Sequence, residues 1–159
     1  DVPGVAKADP RVVPDAPFVE FLDYDSMFRL AKHGARVLHD KSAIIAQRGN
    51  IPIRVRSTFD DGLGTLIGPA ARPDSGGPGV PDFIGLASVK EEDGLARVNV
   101  IFAKGRGTPG AGAVAEVAAA LGAALCPRDD PDALSFICNQ AYSGDLSRAI
   151  FATLNSDRS

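Results

Sequence analysis

Residues 1–11 read DVPGVAKADPR and contain two sharp corners, PG at 3–4 and DPR at 9–11. Turns of this composition expose backbone N–H groups, and the second corner adds one carboxylate and one guanidinium. Such a loop can hold a polyphosphate or a sugar, because clustered N–H groups and a cation attract anions. A simple turn also explains the composition, and without the segments that follow it would be the preferred interpretation.

Composition limits the class of protein. With 45% hydrophobic and 23% charged residues, the chain is that of a globular protein, and 159 residues allow one ordinary domain or two small ones. A net charge of −3 and a pI near 5.3 argue against nucleic acid or an anionic membrane as a partner. No apolar run approaches the ~20 residues of a membrane span, and no secretion leader is visible, so we expect a cytoplasmic protein.

Cys126 and Cys138 form no recognisable metal spacing with His33 and His39. Both cysteines adjoin apolar residues, where free cysteines usually behave as small core side chains. We therefore expect reduced thiols and no metal site. The two histidines lie six positions apart and are given no catalytic role.

The first half predicts two helices and two strands. Asp23 is a good N-cap for a helix that ends at Gly34. A second helix is predicted over residues 35–48, with Val37, Leu38, Ile44 and Ile45 on its buried face. Alternation from Ile51 to Val55 predicts a strand, and residues 64–67 predict its return. Residues 68–82, rich in proline and glycine, are the predicted linker and domain boundary.

The second half predicts the order β-β-α-β-α, which is typical of a small α+β sandwich. Strands are expected over 83–89, 95–102 and 133–140, and helices over 111–125 and from about residue 143 onward. The glycine-rich loop at 104–110 precedes a helix, as anion-binding loops do. It lacks the G-x-x-x-x-G-K-[ST] spacing, so a tight strand-to-helix turn is the preferred interpretation.

Three blocks in the first 67 residues together resemble the aspartate kinases, which have the amino-acid-kinase fold. The loop DVPGVAKADPR is similar to a family pattern TDVxGxYxxDPR, and GARVLH at 34–39 is similar to GAKVLH. The segment PIRVRSTF at 52–59, followed by GTL at 64–66, resembles the family's exit strand P(I/L)xVRSSF. Their order makes the resemblance specific, whereas no single block would be convincing.

The resemblance implies a fold class and a domain division. Residues 1–67 would be the α/β C-terminal portion of an amino-acid-kinase domain, on its nucleotide side. Residues 83–159 resemble, in pattern only, an α+β ACT-like (ferredoxin-like) regulatory domain. About 77 residues suffice for one such unit of ~70 residues and not for a tandem pair, which implies a single or reduced regulatory region.

The resemblance also implies site residues. The nucleotide candidates are Asp1, Gly4, Arg11 and Arg36, with ATP and Mg²⁺ as the implied cofactor. The alternative is that Arg11 pairs with Asp9 or Asp15 across a turn and that Arg36 extends from a helix into solvent.

Three positions depart from the family pattern. Ala6 replaces an aromatic residue next to the base, Lys7 replaces a small polar residue, and Arg36 replaces lysine. An aromatic ring beside the base would contribute on the order of 1 kcal/mol, which alanine does not supply. Arginine differs from lysine in donor geometry. These substitutions are expected to weaken nucleotide binding and could reduce the kinase activity.

The family's phosphate loop and its aspartate-binding residues belong to an N-terminal half that this sequence does not resemble. No catalytic residue is therefore assigned here, and phosphorylation of the aspartate side-chain carboxylate would need that half as a partner. Feedback control by lysine or threonine is implied, with the effector carboxylate near Gly110, Ala111, Gly112 and Ala113. Homo-oligomers through the ACT-like domains are also implied.

A second hypothesis is a binding protein rather than an enzyme part. It is a non-catalytic regulatory subunit or diverged homologue that binds an amino-acid effector and dimerises. Ala6 and the missing half favour it, whereas the helices and the exit strand favour the kinase.

Overall fold

The computed structural model describes residues 4–35, 38, 40–59, 61–69 and 82–156. Its first part holds a three-stranded sheet and two helices. The sheet has the order β1-β3-β2, with β1 parallel and β2 antiparallel to the central strand β3. The elements are β1 (Phe21–Asp23), α1 (Tyr24–Lys32), α2 (Asp40–Arg48), β2 (Ile53–Val55) and β3 (Thr65–Gly68).

Helix α1 has the two ends that the sequence predicts. The Asp23 carboxylate accepts a hydrogen bond from the Ser26 N–H at 2.8 Å and caps the helix. At the other end the Ala35 N–H reaches back to the Leu30 carbonyl, and Gly34 has a φ of +104°. A Cβ at Gly34 would lie 2.3 Å from Val89 Cγ2, so this position requires glycine on two grounds.

The prediction for α2 is wrong in its start and its buried face. The helix begins at Asp40 rather than at residue 35, and Val37 lies outside the described residues. Leu38 precedes the helix and is partly buried, as predicted, against the core that includes α1. Ala43 and Ala46 are buried, whereas the side chains of Ile44 and Ile45 are 40% and 65% exposed. Small side chains let α2 approach the core closely, so the alanines face inward and the larger isoleucines do not.

The second part is a four-stranded antiparallel sheet with two helices on one face. Its strand order is β4-β5-β7-β6. The elements are β4 (Phe83–Lys90), β5 (Leu95–Phe102), α3 (Ala111–Ala120), β6 (Ala124–Leu125), β7 (Ala133–Asn139), a 3-10 turn (Gln140–Tyr142) and α4 (Ser143–Ser156). The predicted inward residues of α4, Leu146, Ile150 and Leu154, are buried.

Helix α3 is shorter than predicted, and the order contains one more strand. The helix ends at Ala120 because Gly122, at a φ of +80°, allows the Ala123 N–H to close on the Ala118 carbonyl. Because the run of alanines has a high helix propensity, the sequence predicts a helix that continues past this end. The chain then forms the short edge strand β6, which pairs with β7.

Two hydrophobic cores lie on opposite faces of strands β4 and β5. The first lies between this sheet and helices α3 and α4, and it also includes Ala8, Val13 and Ala16 from the loop before β1. The second joins the other face to α1 and the three-stranded sheet through Ile84, Ala87, Ile101 and Ala103. Both cores therefore draw on residues from both sides of the predicted linker, while the domain boundary itself stays a prediction.

The Arg29 guanidinium crosses between the two parts. It donates to the backbone carbonyls of Phe102 and Asp132, the second at 3.1 Å, and pairs with the Asp130 carboxylate at 3.0 Å. The side chains of Arg29 and Asp130 are only 12% and 17% exposed. A partly buried pair with this many bonds is hard to break, because removal of either partner would leave the other charged and poorly solvated.

Arg29→Met should lower the free energy of unfolding by about 2–4 kcal/mol, because it leaves the Asp130 carboxylate and two carbonyl groups without their donor. Chemical denaturation followed by circular dichroism measures the change. Arg106→Met is the matched control, since Arg106 pairs with Asp82 at 3.6 Å with both side chains about 60% exposed. We expect the control to change stability by less than about 1 kcal/mol. Equal losses in the two variants would contradict the assignment.

Candidate nucleotide and effector sites

The loop before β1 is folded back on itself as a short ladder. The Lys7 N–H donates to the Pro17 carbonyl at 2.9 Å, the Val19 N–H donates to the Val5 carbonyl at 2.7 Å, and Ala6 bridges Phe18. These bonds hold the corner at 9–11 at the tip of the loop. The loop therefore has a defined backbone structure, and Arg11 at its tip is exposed to solvent.

Thr65, the first residue of β3, ties this loop to the three-stranded sheet. Its buried hydroxyl accepts from the Val5 N–H at 2.8 Å and donates to the Val19 carbonyl at 2.5 Å. Gly4 lies against it, and a Cβ at Gly4 would come within 3.0 Å of Thr65 Oγ1. Among the predicted nucleotide residues, Gly4 therefore has a clear reason to be glycine, which is close approach to β3.

Arg11 pairs with Asp9, which is the pairing that the simple-turn alternative predicts. The guanidinium lies 2.9 Å from the Asp9 carboxylate, and the Arg11 N–H also donates to that carboxylate at 2.9 Å. Hydrogen bonds from Arg11 hold the pKa of Asp9 below its ordinary value, and the pKa of Arg11 is raised in return. The Arg11 side chain is 90% exposed, so its remaining donors face solvent.

The structure brings only part of the predicted nucleotide site into view. Gly4 lies at the base of the loop and Arg11 at its tip, whereas Asp1 and Arg36 lie outside the described residues. Lys7 is buried, with its Nζ 5.7 Å from the centre of the Phe83 ring. Its side chain thus contacts the second part of the molecule.

The glycine-rich loop at 104–110 holds a carboxylate of its own chain. Asp132 is buried, and its carboxylate accepts from the Gly105 N–H at 2.9 Å and the Gly107 N–H at 2.7 Å. This is the way such a loop would bind an anion, but the anion is internal. The loop therefore serves as the tight strand-to-helix turn that the spacing favours. Sequence reasoning missed Asp132, since a lone aspartate in a polar turn carries no signal.

The N-terminus of α3 is open in the described structure. Gly110 is the N-cap residue, with a φ of +79° and no side-chain cap. The Val114 N–H donates to the Gly110 carbonyl. Gly112 and Ala113 are exposed, and a Cβ at Gly112 would meet nothing within 4 Å. The four predicted effector residues, 110–113, are thus adjacent at a helix start that favours negative charge.

Asp130 links the end of α1 to this loop. Its carboxylate accepts from the Asp132 N–H at 2.8 Å and pairs with Arg29, while the His33 ring lies 2.7 Å from the Arg29 carbonyl through Nδ1. Burial acts to raise the pKa of Asp130, but the hydrogen bonds from Asp132 and Arg29 outweigh it and hold this pKa below its ordinary value of 3.8.

Three expectations from the sequence concern reduced thiols, the absence of a metal site and the absence of a membrane span. Both cysteines are free thiols, and burial raises the pKa of Cys138. Across residues 4–35, 38, 40–59, 61–69 and 82–156, no group of three or more His, Cys, Asp or Glu residues is placed to hold a metal ion. None of the helices in the same ranges is long and apolar enough to span a membrane.

Comparison with known proteins gives a family for the first part of the chain. Residues 1–57 match the amino acid kinase family. The aspartokinase of Corynebacterium glutamicum is 45% identical over 67 residues, which are 42% of this chain and 16% of the relative. The sequence match thus spans a small share of that relative's length.

Solved structures extend the likeness to almost the whole chain. Escherichia coli aspartokinase III in complex with aspartate and ADP matches with a TM-score of 0.78 at 19% identity, over 98% of this chain and 51% of that one. The same enzyme in complex with lysine and aspartate matches with a TM-score of 0.69 at 19% identity, over 97% and 50%. The chain spans about half the length of these structures, and at this identity the likeness is one of fold.

Residues 1–57, which hold the loop, the two helices and the exit strand, thus match the amino acid kinase family. More particularly, the relatives that match this chain in sequence are aspartokinases. The predicted fold class is confirmed: an α/β part is followed by an α+β part, and the fold matches that of aspartokinase structures.

The pH dependence of stability should report the Asp130 contacts. Because the folded pKa lies below the ordinary value of 3.8, the contribution is fully present above that value and is lost as pH falls through the folded pKa. The difference in unfolding free energy between the protein and Asp130→Asn should therefore be constant near neutral pH and shrink below about pH 4. Urea titrations across this range measure it. A difference that stays constant to the lowest pH would contradict the Arg29–Asp130 assignment.

Proposed function

We propose that this chain is part of an aspartate kinase that uses ATP with Mg²⁺ to phosphorylate the side-chain carboxylate of aspartate. The observation that carries the proposal is the loop at 4–20, which lies within the residues that match the amino acid kinase family and is fastened to β3 by Thr65. Such a loop supplies part of an ATP site, with Gly4 at its base and Arg11 at its tip. Asp1 and Arg36 remain proposed members of the same site.

The remainder of the catalytic site would come from an N-terminal kinase half, in the same chain or in a partner. Phosphoryl transfer depends mainly on positioning and charge neutralisation, so a loop with one exposed guanidinium contributes without acting as acid or base. The described residues offer no cluster to hold Mg²⁺ by themselves. The ion would therefore be held by the phosphates and by the other half. A cytoplasmic location belongs to this proposal.

Arg11→Ala should raise the apparent KM for ATP about tenfold with little change in stability, because Arg11 is exposed and paired only with a neighbour in its own turn. The measurement is a coupled kinase assay of the protein with its N-terminal half present. Arg106→Ala, which removes another exposed and paired arginine, is the control and should leave KM unchanged. An unchanged KM in Arg11→Ala would show that this residue is not in the nucleotide site.

We also propose that the ACT-like part binds an amino-acid effector, lysine or threonine, at the start of α3. Support comes from the open, uncapped helix N-terminus at 110–113 and from the lysine-bound aspartokinase III that shares the fold. The effector carboxylate would accept from N–H groups of this first turn, where the helix dipole favours negative charge. Homo-oligomers through the ACT-like parts belong to the same proposal.

Gly112→Asp tests the effector site with little risk to folding, since a carboxylate in a first helical turn is favourable and the position is open. It should abolish binding by occupying the helix N-terminus with a charge of the same sign as the effector carboxylate. Gly112→Asn is the matched control and should retain binding. Thermal shift with lysine or threonine is the readout, and an effector at 100 times its Kd stabilises by about 2.7 kcal/mol.

The outcomes of the effector titration separate the two candidate functions. A shift with an amino acid and none with nucleotide, even with the N-terminal half present, would support the non-catalytic regulatory subunit that Ala6 favours. Shifts with both support the kinase. No shift with either amino acid would contradict the effector proposal and leave the nucleotide proposal to the Arg11 assay.

A further inference from the structure

A cleft of about 270 Å³ lies on the side of the four-stranded sheet away from α3 and α4. Lys32 and His33 at the end of α1 form one wall, and residues 127–130 form the other. Asn99 and Ser135, from β5 and β7, are at its floor. Pockets for drug-sized ligands measure about 300–1,000 Å³. The cleft is thus of the size that suits an amino acid rather than a nucleotide.

The floor and one wall of the cleft are held in place by hydrogen bonds. Asn99 is 3% exposed, donates to the His33 carbonyl at 2.8 Å and accepts from the Ser135 hydroxyl at 2.6 Å. The His33 ring is fixed in turn by the Arg29 carbonyl, and Asp130 by the Arg29 guanidinium. The cavity is therefore organised before any ligand arrives, which reduces the entropy cost of binding.

The charges that line the cleft divide into paired and unpaired groups. Arg97 pairs with Glu91 at 3.1 Å, and Asp130 pairs with Arg29, so these charges are compensated. Within the described ranges, the three charged side chains that remain make no ion pair or hydrogen bond: Lys32, Arg128 and Asp129. Two cations and one anion at the exposed rim complement a ligand with two negative groups and one positive group.

We propose that this cleft binds an α-amino dicarboxylic acid, the class of aspartate and glutamate. Its two carboxylates would pair with Lys32 and Arg128, and its ammonium group with Asp129. Charge-assisted hydrogen bonds of this kind are stronger than neutral ones and discriminate by sign. The proposal does not depend on the effector site at 110–113, because that site belongs to the helix layer on the opposite face of the sheet.

Isothermal titration of the 159-residue chain with L-aspartate, L-glutamate, succinate and L-lysine tests the proposal. The two dicarboxylic amino acids should bind, and succinate should bind more weakly because it lacks the ammonium group. Lysine should not bind the Gly112→Asp variant, in which the proposed effector site at the start of α3 is blocked. Lys32→Gln and Arg128→Gln should each weaken aspartate binding about tenfold. Asp129→Asn should weaken aspartate binding and leave succinate binding unchanged or improved.

Two control variants distinguish the cleft from the start of α3 and from a general effect of surface charge. Lys104→Gln removes an exposed lysine outside the cleft and should leave affinity unchanged. Gly112→Asp should also leave it unchanged; if that variant abolishes aspartate binding, the ligand is at the start of α3 and the cleft proposal is wrong. Absence of aspartate binding at millimolar concentrations, equal binding of lysine and aspartate to the Gly112→Asp variant, or insensitivity to Lys32→Gln and Arg128→Gln would each overturn it. Thermal unfolding verifies that every variant is folded.

Discussion

The Arg29 guanidinium adds a partly buried polar contact to the hydrophobic core that joins the two parts. Helix α1 belongs to the kinase segment, yet its arginine donates to carbonyls that end β5 and precede β7, and it compensates the Asp130 charge. Asp132, whose carbonyl Arg29 holds, uses its own carboxylate to fix the loop before α3. A single side chain therefore connects the kinase helix to the turn that positions the start of α3. Because the pair is partly buried, this connection is less weakened by salt than a surface pair would be.

The parts of the fold that could be predicted from sequence are those set by neighbours along the chain. The Asp23 cap and the stop at Gly34 are local signals, and each is found in the structure. The buried face of α2 could not be predicted, since Ala43 and Ala46 are buried only because of what they pack against. The Asp132 carboxylate and the Arg29 bridge join residues about 25 and 100 positions apart, for which a single sequence has no signal. For the nucleotide site, the motifs located the loop, but its anchor, Thr65, emerged only from the structure.

The glycine-rich loop and the cleft show how charge is divided between the two faces of the sheet. At 104–110 the chain supplies its own anion through Asp132, so the N–H groups there are already occupied. At the cleft the chain leaves two cations and one anion uncompensated within the described residues. A motif search would rank the glycine-rich loop above the cleft as a binding site. The glycine spacing is visible in the sequence, whereas the cleft forms only where three separate segments meet in the fold.

Strands β4 and β5 carry apolar side chains on both faces, and this limits how freely the ACT-like half can be reused. One face is covered by α3 and α4, and the other by α1 and the three-stranded sheet. Expressed alone, residues 83–159 would present Ile84, Ala87 and Ile101 to water as a contiguous apolar surface, a common cause of aggregation. Small domains are often treated as portable units that can be grafted from one protein to another. Residues 83–159 could be transferred only together with helix α1, or after their second face had been redesigned with polar residues.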